Sequence, residues 1–445
     1  MRTRLLPLTF VAALLLVTPR ARADQTNGGK SPDRAPSDVA SAWFEELYDV
    51  VKAESTAPPS ASRIYGITAV ALYESIVAAT RENRSLVGQL TDLAALPQPN
   101  KRRTYHWPAV ANIVLANTIR GLYPTISQAS LDAIDSLEES IAAEQRDHVR
   151  PAVYERSVAH GQAVAATILE WAATDGFSSY NNCAYVPAPV AGAWKPTPPA
   201  FNPNPLQPCW GFLRPMVLTQ GECAPAPHPA FSTDSASDFY AAGLEVHDVV
   251  LGLTDSQKTI ATYWADGSGA TGTPAGHWIA IVSQIARNDE LSLAEAAEAY
   301  ARVGIAVHDA FIACWSAKYT FNLQRPVTFI NDNIDSGWLP FLLTPPFPGY
   351  ASGHSTQSGA AARVLTDMFG TLSFTDTTHD DHGLVPPQEP RTFASFEEAA
   401  AEAAVSRLYG GIHFSFDNAG GLEAGQCAGQ AIQDRVRFKR RHRDR

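Results

Sequence analysis

A recurring helix-start signature restricts the fold most. Thr254-x-x-Gln257, Ser292-x-x-Glu295 and Ser395-x-x-Glu398 each set a hydroxyl side chain three residues before a glutamine or glutamate. In that pattern each side chain satisfies a free amide at the start of a helix. The run after Ser292 is long, and its spacing predicts a helix to about residue 318. Upstream, helical patterns cover 37–53, 62–82, 106–121, 127–148 and 152–174. In the last of these, Val158, Val164, Ile168, Leu169 and Trp171 fall near helical spacing, and Asp175-Gly176 closes it. Few runs alternate as strands do. The expected class is all-α, with helical bundles packed side by side.

With 445 residues, 45% hydrophobic and 18% charged, the chain is long enough for one large core or two domains and reads as globular. Arg2 and Arg4 precede an apolar run from Leu5 to Val17, and Ala21-Arg22-Ala23 follows as a small-x-small cleavage site. That order is a secretory leader, with cleavage near Ala23. The apolar run is short of the roughly 20 residues a membrane span needs. Removing a leader with four arginines and no acid takes the formal charge from −11 to −15. An acidic body argues against nucleic acid as a partner, and no later apolar run suggests an integral membrane anchor.

The expected organisation is a leader at 1–23, an N-terminal helical region at 24–180 that opens on a disordered lead to 36, and an ordered loop rich in proline and aromatics at 181–235. A C-terminal helical region at 236–435 and a solvated basic tail at 436–445 follow. The loop is expected to pack over the surface with Trp194, Phe201, Trp210 and Phe212. Export permits disulfides. Cys183, Cys209 and Cys223 share this stretch, so a bridge within that set is expected, with its pairing open.

Three segments in the last third carry chemistry together. They are Lys318-x6-Arg325-Pro326, then Ser352-Gly353-His354, then Ser406-Arg407-x5-His413-x3-Asp417. A tetrahedral oxyanion held away from water needs several fixed donors, because desolvation otherwise dominates. Arginine offers a planar, permanently charged fork, and lysine a point charge. Ser352 and Gly353 stand where a helix should begin, where free amides and the helix dipole favour an anion. Gly353 lets backbone approach closely. His354 is suited to acid–base work near neutral pH. His413 can bond through one ring nitrogen while Asp417, one turn on, holds the other.

These motifs resemble those of the vanadium-dependent haloperoxidases and the type 2 phosphatidic acid phosphatases, which form one superfamily. The internal spacings are kept; Ala351 stands where the family usually has proline. Looser resemblance to bacterial haloperoxidases extends upstream through Trp194-Lys-Pro, Cys209-Trp-Gly and His308-Asp309. The resemblance implies helical bundles of the haloperoxidase and acid phosphatase type. It implies that Lys318, Arg325, Ser352, the Gly353 amide and Arg407 hold equatorial oxygens, that His413 is the axial ligand of vanadium or the nucleophile on phosphorus, that His354 is the acid–base group and that Asp417 orients His413. Trp315 and Phe347 match positions beside the halide pocket of chloroperoxidases.

Two reactions are then open. With vanadate as cofactor, hydrogen peroxide would oxidise halide to hypohalous acid. Without it, His413 would attack a phosphate ester and His354 would protonate the leaving group, as in an exported acid phosphatase. Vanadate resembles the five-coordinate phosphoryl transition state, so one cage suits both. A non-catalytic phosphate-binding helical protein is the third reading. Among the remaining residues, Asp309 is either a counter-charge to an active-site arginine or an ordinary helix-face carboxylate. His379 and His382 are expected on a solvated loop, and His247-Asp248 and His277-Trp278 as packing or surface residues.

Overall fold

The computed structural model describes residues 30–123, 125–186 and 189–440. The expected leader and the end of the expected tail, 441–445, lie outside the described residues. The N-terminal half contains α1 (Asp38–Ala53), α2 (Pro58–Ile76), α3 (Trp107–Leu122), α4 (Gln128–His148), α5 (Pro151–Ala172) and a single turn α6 (Phe177–Tyr180). The C-terminal half contains α7 (Asp238–Leu251), α8 (Asp255–Tyr263), α9 (Thr273–Asn288), α10 (Leu293–Phe321), α11 (Pro326–Asn333), α12 (Gly353–Phe369), α13 (Thr378–Asp381), α14 (Phe396–Tyr409) and α15 (Ser415–Arg435). Two three-residue strands, β1 (Phe374–Asp376) and β2 (Arg391–Phe393), pair antiparallel with Phe374 opposite Phe393. The class is all-α, as the periodicity implies.

The caps explain several boundaries. At α8 and α10 the reciprocal boxes form, with Ser292 Oγ accepting from the Glu295 amide and Glu295 accepting from the Ser292 amide. At α14 only half the box forms: Ser395 accepts from the Glu398 amide, while the Glu398 carboxylate takes the amide of Ala394 instead. Helix α2 starts earlier than its apolar periodicity suggests, because Pro58 and Pro59 occupy first-turn positions whose N–H groups would be unpaired anyway. It also ends earlier, at Ile76, where the Val77–Ala79 turn is closed by Thr80 Oγ1 donating to the Val77 carbonyl.

Helix α10, about 44 Å long at 1.5 Å per residue, is the axle of the molecule. It is buried on nearly every side, which is why its sequence is apolar or small all round. Helix α2 packs along it, with the backbones close at Gly66 and Gly304: a Cβ on Gly66 would lie 2.8 Å from the Gly304 carbonyl oxygen. One apolar core includes Trp43, Val114, Tyr300, Leu365 and Ile432, so the N-terminal helices and the C-terminal bundle share it. A second cluster, with Phe239, Val327, Phe329, Tyr350 and Phe414, lies under the loops that carry the candidate site. Helix α15 lies against α12 through glycines; a Cβ on Gly425 would lie 2.0 Å from the Thr356 carbonyl oxygen. That close approach brings the start of α15 beside the start of α12.

Several expectations are corrected. The described part of the lead is packed: Ala35 is buried, and Pro36 bridges to Ser292. The basic tail is not solvated over 436–440. Val436 and Phe438 are buried, Lys439 pairs with Glu298, and the Arg440 amide donates to the Glu82 carbonyl. Alternating apolar residues in a short basic run let the backbone dock while the charges reach outward. Residues His379 and His382 are buried rather than solvated, His379 facing the Tyr263 carbonyl and His382 facing Asp49 and stacked on Tyr48. In the Pro-rich stretch Trp194 and Trp210 are buried, whereas Phe201 and Phe212 are exposed. Cys183 pairs with Cys209 within the expected set. The third member, Cys223, pairs with Cys427 on α15, and Cys314 is a buried free thiol.

Candidate active site

The three motifs converge because each begins or ends a helix at one place. Lys318 lies in the last turn of α10, and Asn322 ends that helix in the left-handed region. Arg325 precedes α11, whose first residue is Pro326. Ser352 caps α12 and accepts from the Ser355 amide. The amides of Gly353 and His354 are the first of that helix, which no carbonyl within it can satisfy. Arg407 lies in the last turn of α14. Gly411, at φ +71°, turns the chain back toward His413, and Asp417 follows in the first turn of α15.

All three cations are buried. Lys318 Nζ donates to the carbonyls of Pro348 (3.0 Å) and Gly349 (2.8 Å), leaving one of its three protons. Arg325 donates from Nε to the Phe347 carbonyl (2.8 Å) and from Nη1 to the Ile412 carbonyl (2.9 Å) and His413 Nε2 (3.0 Å). Arg407 Nη1 donates to the Trp264 carbonyl and to His354 Nε2. Among the described residues, Arg325 Nη2 and Arg407 Nε are buried without a hydrogen-bond partner. Burial lowers the pKa of both arginines to about 10 and that of Lys318 below the usual lysine range. The cage therefore holds charged donors in excess of what the protein supplies to them.

His413 lies 2.8 Å from Asp417 Oδ2 through Nδ1. The same oxygen accepts the Phe414 amide at 3.2 Å, and the Ser352 amide donates to the Asp417 carbonyl. A guanidinium only donates, so His413 Nε2 accepts from Arg325 Nη1 and the ring proton lies on Nδ1, facing Asp417. Burial holds the His413 pKa well below its ordinary 6.5, and Arg325, Lys318 and Arg407 push it further. His354 is half-buried, and burial followed by the Arg407 charge lowers its pKa likewise. Burial raises Asp417, against the pull of Lys318 and Arg325. Trp315 and Phe347 meet with ring centroids 5.1 Å apart, and both face Lys318 Nζ, at 5.7 and 5.1 Å.

The structure thus brings together Lys318, Arg325, Ser352, Gly353, His354, Arg407, His413, Asp417, Trp315 and Phe347. Asp309 takes neither role considered for it. It accepts the amides of Met216, Val217 and Leu218 at 2.7–2.9 Å, which fixes a buried loop. His277 is neither surface nor simple packing: it is buried between Asp266 and Asp376. Motif reading missed Asp266 and Trp264. The one available signal was that His277 stands directly before the apolar run Trp278 to Val282, where a histidine needs partners. The peptide of Leu206 was also not foreseen. Its carbonyl accepts from Trp315 Nε1 and Tyr319 Oη, and its amide donates to Pro346, next to Phe347.

Fold and site define an all-helical protein in which three buried cations and two histidines gather where several helices begin and end. A family model described as the VCPO second helical-bundle domain matches residues 298–441. The vanadium chloroperoxidase of Curvularia inaequalis is 30% identical over 222 residues, 37% of this chain. The match spans 36% of that relative's own length. A crystal structure described as that of the first bacterial vanadium-dependent iodoperoxidase is 34% identical, with a TM-score of 0.85, over 93% of this chain and 100% of that one. A holo-type bacterial vanadium-dependent chloroperoxidase shares the fold, at 17% identity and a TM-score of 0.64 over 86% of this chain and 94% of its own. The chain belongs to the vanadium-dependent haloperoxidase superfamily.

Proposed function

We propose that this chain oxidises halide with hydrogen peroxide, using a vanadate held at His413. The observation that carries the reading is the pair of unmatched buried donors, Arg325 Nη2 and Arg407 Nε, on the two guanidinium groups that face His413 and His354. A buried unsatisfied donor costs about 1–3 kcal/mol, more when charged. A tetrahedral oxyanion would satisfy several at once, and so the donor set fits vanadate. The iodoperoxidase and chloroperoxidase character of the relatives supports the same reading.

His413 would bond through Nε2, with Asp417 holding the Nδ1 proton. Lys318, Arg325, Ser352, the Gly353 amide and Arg407 would hold the oxygens. When bound, vanadate supplies the Lewis acidity that makes hydrogen peroxide reactive toward halide. The remaining Lys318 proton is free to hydrogen-bond an oxygen on that side. In the free protein burial, and after it the charge of Arg407 facing its Nε2, suppresses protonation of His354. A bound anion would offset that charge and raise the His354 pKa, favouring its use as an acid–base group. Trp315 and Phe347 form an apolar wall beside Lys318, suited to a weakly hydrated halide. No helix among the described residues is long and apolar enough to cross a membrane. We also infer export, from the leader pattern of residues 1–23 and the two disulfides.

The test uses purified protein stripped of metal and assayed twice. One arm measures iodide, bromide and chloride oxidation with peroxide, with and without orthovanadate. The other measures phosphomonoester hydrolysis under both conditions. Vanadate should switch on halide oxidation, with iodide fastest because it is the most easily oxidised of the three. A phosphatase that vanadate shuts off, with no halide oxidation, would replace this reading by the phosphohistidine one.

A further inference from the structure

One peptide unit in the Pro-rich stretch ties together the two aromatic rings that face Lys318. Trp315 and Tyr319 lie one turn apart on α10, so their side chains share a face. Both donate to the Leu206 carbonyl, Trp315 from Nε1 at 3.3 Å and Tyr319 from its hydroxyl at 2.6 Å. A carbonyl oxygen has two lone pairs, and these two donors take both. From the same residue the Leu206 amide donates to the Pro346 carbonyl at 3.0 Å. Phe347 follows Pro346, and its ring meets Trp315 with centroids 5.1 Å apart.

The two bonds to Leu206 are unequal. At 2.6 Å the Tyr319 bond is at the short end for a hydroxyl donor, whereas 3.3 Å is long for an indole N–H. Tyr319 therefore holds the carbonyl more firmly than Trp315 does. Trp315 is buried, and a buried N–H without an acceptor is costly, so its ring must follow that carbonyl. The hold is braced from behind. The Tyr185 ring packs edge-on to Tyr319 with centroids 5.0 Å apart. Gln207 Nε2 donates to Ser60 Oγ at 2.7 Å and to Asn181 Oδ1. The Cys183–Cys209 bridge fixes the chain just beyond.

We propose that Tyr319 is a positioning residue: by pinning the Leu206 peptide it sets the gap between Trp315 and Phe347, and with that gap the fit of the halide. This rests on the reading of those two rings as the halide's wall. Contact attraction falls steeply once rings and ion separate, so a small drift of the Leu206 carbonyl weakens halide binding. The oxyanion donors do not pass through this peptide, so their hold on vanadate is unchanged.

The test compares wild type with Tyr319→Phe, both as the full mature protein. Loaded with vanadate, the variant should show KM for iodide and bromide raised about two- to tenfold, the range of one neutral hydrogen bond. Its kcat, and its orthovanadate affinity by calorimetry, should stay within about twofold. A separate readout needs no activity: in protein labelled with 15N-tryptophan, the Trp315 indole proton should exchange with solvent about tenfold faster in the variant. Its resonance is assigned by its loss in Trp315→Phe. Unchanged KM or unchanged indole exchange overturns the proposal. So does a loss shared by kcat and vanadate affinity, which would mark a general structural role. If circular dichroism shows that Tyr319→Phe does not fold, the paired change Cys183→Ser and Cys209→Ser, which slackens the strap without touching α10, is judged by the same outcomes. Wild type that oxidises no halide with vanadate and peroxide removes the haloperoxidase reading itself, and this proposal falls with it.

Discussion

Replacing Asp417 by alanine should weaken orthovanadate binding by about ten- to hundredfold, the usual cost of removing the partner that orients a ligating histidine. That corresponds to about 1.4–2.8 kcal/mol. The structure shows why. Asp417 Oδ2 accepts from His413 Nδ1 at 2.8 Å and from the Phe414 amide at 3.2 Å, and the side chain is fully buried. Alanine strands both donors out of reach of water, at about 1–3 kcal/mol each in the free protein. It also releases the tautomer, so the Nε2 lone pair is no longer enforced. Asp417→Asn keeps an acceptor oxygen in place and should lose much less. Calorimetric titration with orthovanadate reads the affinity, and thermal unfolding of the free protein reads the stability cost. If Asp417→Ala binds within about twofold of wild type, Asp417 does not hold the His413 tautomer and the reasoning is refuted.

Three further outcomes are expected. His413→Ala should abolish orthovanadate binding, whereas His354→Ala should bind it and turn over about 10²–10⁴-fold more slowly; equilibrium binding and single-turnover rates separate the two. His354 and His413 are held well below their ordinary pKa of 6.5 in the free protein, so the unfolded chain binds more protons below that pH. Their contribution is present above pH 6.5 and lost as pH falls toward the folded-state values. Orthophosphate, by offsetting the cations, should blunt that loss in thermal melts from pH 7 to 5. His277 runs the other way: raised to about 10, its contribution is complete well below 6.5 and lost as pH rises through 10, so it grows slightly from pH 7 to 6 and is flat below that. Finally, Cys427→Ser opens a link spanning 204 residues and should cost about 2–5 kcal/mol in denaturant unfolding.

Much of this was legible from local pattern. The box at Ser292 and the apolar run behind it place α10, since propensity, capping and periodicity agree there. Lys318, Arg325, Ser352, His354, Arg407 and His413 stand in three short motifs, so their residue types and order were legible before any contact was known. What failed was reading residues singly. Asp309 was legible only as a counter-charge or an ordinary helix-face carboxylate, but it faces the Met216–Leu218 amides. The basic run at 436–440 resembled a tail because charge alone says nothing of the apolar residues between.

Residue order dictates where helices begin, which faces are apolar and which residue types each helix end offers, because those depend on neighbours within a few positions. The partners across the molecule follow from packing. Asp266, Asp376 and His277 come from three separate segments and share no motif, yet burial forces their charges to pair. The Cys223–Cys427 link and the Leu206 carbonyl beside Trp315 arise in the same way. A buried charge or donor must find a partner wherever the chain has placed one, and that place depends on how helices such as α12 and α15 approach through their glycines.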